Sequence, residues 1–120
     1  MSRAGAELET QTNPLVFYQY VATSEELRDA ATKALMLLDD HEIESSMCLN
    51  VYQAMLNAER NIITSGRKLD PEEERLVKKL ILDRKRIGLG LSNEGCQKIK
   101  ELRKELACIE NVFNVSLFQV

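Results

Sequence analysis

Apolar residues recur along most of this chain at intervals of three and four, the repeat of a helix that buries one face. Thr23 opens the first clear run. Thr23 and Glu26 stand at capping-box spacing, and Leu27, Ala30, Ala31, Ala34, Leu35 and Leu38 form an apolar stripe behind them. The stripe stutters between Asp39 and Glu44 and resumes with Met47, Val51, Met55 and Ala58. No glycine or proline lies between Asp39 and Ser46, so the pattern predicts one long, bent helix over residues 24–60, or two shorter ones.

Ser65-Gly66 marks a loop, and Asp70-Pro71-Glu72-Glu73 marks a strong helix start. Asp70 can cap, Pro71 suits the first helical position, and the acids sit at the positive end of the helix dipole. Leu76, Val77, Leu80, Ile81 and Ile87 line one face, and Gly88 and Gly90 end the helix. Ser92 caps the last helix, where Ile99, Leu102, Leu106, Ile109 and Phe113 follow the 3-4-3-4 spacing of a coiled-coil seam. The seam lasts barely two heptads, which predicts packing inside a bundle rather than a free-standing zipper.

The ends lack this period. Residues 1–12 are small and polar and are expected to form a disordered arm. After the Asn13-Pro14 break, Leu15–Val21 is apolar and aromatic, without a second strand to pair with. It is expected to be an extended segment or helical turn laid on the helices. Residues 114–120 form a β-branched, apolar tail, leaving 13–113 as a single helical domain. The expected fold is all-α, built as helical hairpins or a loose three-to-four-helix bundle.

Composition narrows the partners. Hydrophobic residues make up 44% of the chain and charged residues 29%, enough for a core and a solvated surface. The longest apolar runs fall far short of the roughly 20 residues that cross a bilayer. The first residues also lack the apolar centre of a secretory signal. No membrane partner and a cytoplasmic location are therefore expected. Net charge is −3 but uneven: residues 1–66 carry −6 and residues 67–104 carry +5. Acids alternate with the basic residues on helical patterns, so a solvated helix surface is expected rather than a nucleic-acid face. Cys48, Cys96 and Cys108 are widely spaced and read as reduced structural thiols.

One stretch hints at chemistry. His41-Glu42 in DDHEIESSM begins like a His-Glu-x-x-His zinc site, in which two histidines one turn apart hold the metal. Here Ser45 stands where the second histidine belongs, and His41 is the chain's one histidine. No metal and no cofactor are expected in this chain. His41 remains a candidate proton-transfer group for a crevice that takes a short peptide or small molecule.

The runs NPLVFYQYVATSEELRDAATKA, DDHEIESSMCLNVYQAML, LDPEEERLVKKLILDRKRIGLGL and IKELRKELACIE, in order from Asn13 to Glu110, resemble the thimet oligopeptidase family. The most specific pieces are Glu26-Leu-Arg-Asp29, Glu44-Ser-Ser-Met47 with Val51-Tyr52, and Arg86-Ile-Gly-Leu89. The resemblance implies almost wholly helical, cytosolic zinc endopeptidases that cleave short peptides. It falls on their upstream, non-catalytic helical half. Their zinc motif lies far downstream and has no counterpart here, so His41-Glu42 is outside the family's catalytic region. The expectation is a truncated, non-catalytic homologue that binds a helical protein partner or pairs as a homodimer. Ile99, Leu102, Leu106, Ile109 and Phe113 are its candidate contacts, joined by Val112, Leu117 and Phe118. The alternative is a small-molecule enzyme or ligand carrier using His41.

Overall fold

The computed structural model describes residues 3–118. Among them every regular element is helical: α1 (Arg3–Val21), α2 (Glu25–Ser46), α3 (Leu49–Ser65), α4 (Pro71–Arg84), a π-helical turn (Lys85–Leu89) and α5 (Asn93–Phe118). This is the all-α class that the periodicity predicts. The outermost ends of the expected arm and tail, including the side chain of Phe118, lie outside the described residues. The chain divides into two compact units, Met1–Glu42 with Lys104–Val120, and Ile43–Arg103.

In the first unit, α1 is a regular helix across residues read from sequence as an aperiodic arm and an extended segment. Pro14 lies inside it and brings no N–H for the helix ladder, which is why sequence reasoning broke the chain there. The helix is held by a polar contact. Buried Gln19 donates through Nε2 to Thr32 Oγ1 at 3.2 Å, and Thr32 Oγ1 donates to the Arg28 carbonyl at 2.9 Å. Beside them Ala31 is buried, while the flanking stripe members Leu27 and Ala30 stay exposed.

The start of α2 is shifted by one residue from the expected cap. Ser24, not Thr23, takes the cap role, accepting the Leu27 N–H at 3.4 Å. The Thr23 carbonyl instead accepts from Arg28 Nη1, which also donates to the Ala22 carbonyl.

The second unit carries most of the apolar core: Ile43, Met47, Tyr52, Ile81, Leu89 and Cys96. It resolves the choice between one bent helix and two. The helix ends at Ser46, and Cys48 turns into extended backbone (φ −73, ψ 108) before α3 begins. No local breaker explains this. Arg84 Nη1 reaches back from α4 and donates to the Ser46 carbonyl, taking a group that a continuing helix would have used. The new start also changes which face of α3 is inside, burying Tyr52 while Val51 is exposed.

The caps of α4 and α5 follow the sequence. Asp70 and Glu73 form a capping box, with the Asp70 N–H donating to Glu73 Oε2 at 3.0 Å. Ser92 Oγ accepts the Gly95 N–H at 3.3 Å. Between these helices the π turn closes on Gly88, whose φ of +107 lies where L residues rarely go. A Cβ there would stand 2.6 Å from Ile99 Cδ1. Substituting Gly88→Ala is expected to destabilise the chain by more than about 1 kcal/mol. Most of that loss is expected to remain in an Ile99→Val background, which removes Cδ1 but not the backbone strain. Urea midpoints of the three variants check both statements.

Candidate functional site

Helix α5 runs without interruption from Asn93 to Phe118, so its side chains are sorted into faces by the helix repeat alone. One face packs. It carries Cys96, which is buried, and Arg103, Ala107, Asn111, Asn114 and Val115, which are half-buried. In the first unit this face is anchored by Asn111, whose Nδ2 donates to Asp39 Oδ2 at 2.8 Å and to the Ala107 carbonyl at 3.0 Å.

The other face is the apolar seam, and it is turned to solvent. Leu102 is 55% exposed, Leu106 56%, Ile109 60% and Phe113 61%. Val112 and Leu117 flank the row and are also more than half exposed. Ile99, the fifth residue of the sequence pattern, stands apart: it is half-buried against Gly88. The row that faces solvent therefore begins at Leu102. Cys108 is exposed as well, but the helix repeat turns it well away from the row.

The candidates for bond-making chemistry are scattered. His41 is exposed on α2, and two of its acidic neighbours are committed elsewhere: Asp39 to Asn111, and Glu44 to Lys100 at 2.9 Å. Cys96 is buried, with Sγ 3.2 Å from the Gly88 carbonyl and 3.6 Å from the Leu91 carbonyl, the setting of a structural thiol. Cys48 is half-buried at the start of α3. The zinc that the family resemblance implies does not fit these residues. A structural or catalytic site needs three or four converging donors. Among the described residues no group of three or more His, Cys, Asp or Glu side chains could hold a metal ion.

Sequence reasoning missed the concavities. An open groove of about 500 Å³ runs between α3 and α4, with Ile62, Leu69 and Val77 in its lining and Glu59, Glu74 and Lys78 at its charged edges. Helix periodicity gives no sign of it, because a groove depends on how two helices splay. Lys78 Nζ donates to Glu74 Oε1 at 2.5 Å. That hydrogen bond, with the ammonium charge, holds the Glu74 carboxyl below its ordinary value and the Lys78 ammonium above its own. Both groups are fully exposed, so water and salt screen the pair. His41 does not line this groove, nor the small cavity beside Gln19 and Arg28, nor the cleft along α4.

Among the described residues no helix is long and apolar enough to cross a membrane. The chain is similar to saccharolysin of Saccharomyces cerevisiae, with 28% identity over 101 residues. That match takes in 84% of this chain and 14% of the yeast protein, a distant relationship to a member of the thimet oligopeptidase family. No family model matches the chain, and no solved structure matches it.

An exposed imidazole without converging donors is expected to be dispensable. His41→Ala is expected to change stability by no more than about 0.5 kcal/mol. Added equimolar zinc is expected to leave the thermal midpoint of both proteins unmoved, measured by calorimetry.

Proposed function

We propose that the chain works by association rather than catalysis, docking the exposed apolar row of α5 on a helical partner, of which a second copy is the foremost. One observation carries this reading: Leu102, Leu106, Ile109 and Phe113 stand at seam spacing on one helix, each more than half exposed. Exposed single leucines are ordinary, but a continuous row four residues long is not. The family resemblance supports the reading, since it falls on helices that pack against a larger body in those proteins. A twofold pair would cover the row by using the same patch twice.

Magnitudes set the expected strength. Covering the exposed half of each side chain is worth roughly 1 kcal/mol, half the usual gain for a fully buried Leu or Phe. Eight such residues across a pair give roughly 8 kcal/mol. Association costs about 4 kcal/mol or more in lost freedom, so the net is about 4 kcal/mol and the pair should be weak, with a Kd on the order of 1 mM. Zinc-dependent proteolysis has no place in this account, because the described residues offer no set of metal donors.

Light scattering up to about 1 mM is expected to show a concentration-dependent dimer, and Ile109→Asp is expected to return it to monomer. A wild-type chain that stays monomeric would remove the self-association reading. With zinc added, the purified chain is expected to leave a short quenched peptide uncut. Cleavage that disappears on chelation would overturn the non-catalytic account.

A further inference from the structure

We infer that two copies pair through α5 in antiparallel orientation, fixed by reciprocal Arg103–Glu110 contacts; this rests on the self-association reading above. The argument is the charge pattern beside the row. With Leu106 and Phe113 at one seam position and Leu102 and Ile109 at the other, Arg103 and Glu110 flank one side, and Lys98 and Glu105 the other. These flanking positions meet across a helix pair and set its orientation.

A parallel pair would set Lys98 against Arg103 of the partner copy and Glu105 against Glu110 of the partner copy. Both meetings join like charges, and symmetry makes each occur twice. An antiparallel pair instead layers Leu102 on Phe113 and Leu106 on Ile109. It sets Arg103 beside Glu110 of the partner copy, again twice, with opposite signs. In that arrangement Glu105 lies opposite Val112 and meets no charge. Symmetry therefore turns four repulsive contacts into two attractive ones.

The burial of Arg103 bears on the strength of that contact. Arg103 is half-buried, and its Nη1 is buried without a hydrogen-bond acceptor among the described residues. Nη1 is closed off by the chain's own packing, so the partner carboxylate would meet another edge of the guanidinium, where partial withdrawal from water strengthens the pairing. Glu110 is exposed on the flank of the row and can supply that carboxylate.

Sedimentation equilibrium on the full chain separates the orientations. If the pair is antiparallel, Glu110→Arg weakens the dimer about tenfold, since two attractive contacts become repulsive. The swap Arg103→Glu with Glu110→Arg restores the dimer to within about threefold of wild type. Glu105→Lys changes its affinity by less than about twofold. Glu105, Glu110 and Lys98 are all exposed, so their variants are expected to keep the wild-type helical circular dichroism. Should the swap disturb folding through the half-buried Arg103, Glu110→Arg against Glu105→Lys decides alone. A parallel pair would make both of those variants bind tighter than wild type, which would overturn the orientation while leaving self-association standing. A wild type that is monomeric at every concentration would instead remove the underlying reading.

Discussion

The Asn111–Asp39 hydrogen bond decides which way α5 faces, and the character of the surface follows from that. Asn111 needs a partner for its amide once it is withdrawn from water, because an unpaired buried polar group costs about 1–3 kcal/mol. Asp39 supplies a charged acceptor at 2.8 Å. Turning the helix to bury Leu106 and Ile109 would carry Asn111 out of reach and strand the carboxylate. The polar contact and the small side chain of Ala107 thus hold the inward face. The seam is left outward, although it is the more apolar of the two faces.

In the second unit the same role falls to backbone groups that side chains satisfy. The Arg84 guanidinium takes the Ser46 carbonyl, and the Cys96 thiol lies against the Gly88 carbonyl in a turn that only glycine enters easily. These contacts reach across many residues of chain. They place Met47, Ile81 and Leu89 in a core too small to cover every apolar residue that the helices carry. Leu76, Leu80 and Ile63 remain exposed. An exposed apolar surface of this extent supports the association proposed above.

That property separates the functional readings. Proton-transfer chemistry needs groups that converge in a sheltered cleft, and His41 stands exposed with two of its neighbouring carboxylates engaged elsewhere. The α3–α4 groove is roomy, but its Glu74–Lys78 ion pair is exposed and screened, and His41 is not in its lining. The α5 row needs neither shelter nor perturbed groups. It needs only a second apolar surface, and its flanking charges discriminate between ways of presenting one.

Much of the fold was legible in the residues. The seam spacing on α5, the capping box at Asp70 and the serine cap at Ser92 are local signals, because a helix end is satisfied by groups within four residues of it. The three-to-four repeat also named which residues share a face. It could not say whether that face would be covered, since burial depends on partners distant in sequence. The same limit explains the error at Pro14, where tertiary contact sustains a helix across a breaker, and the choice left open at Ser46, where Arg84 takes the last carbonyl of a helix that has no breaker. By itself the sequence determined helices, caps and faces, because those are settled by neighbours along the chain. Only the tertiary structure decided the outward turn of α5, through one half-buried amide and the carboxylate it meets.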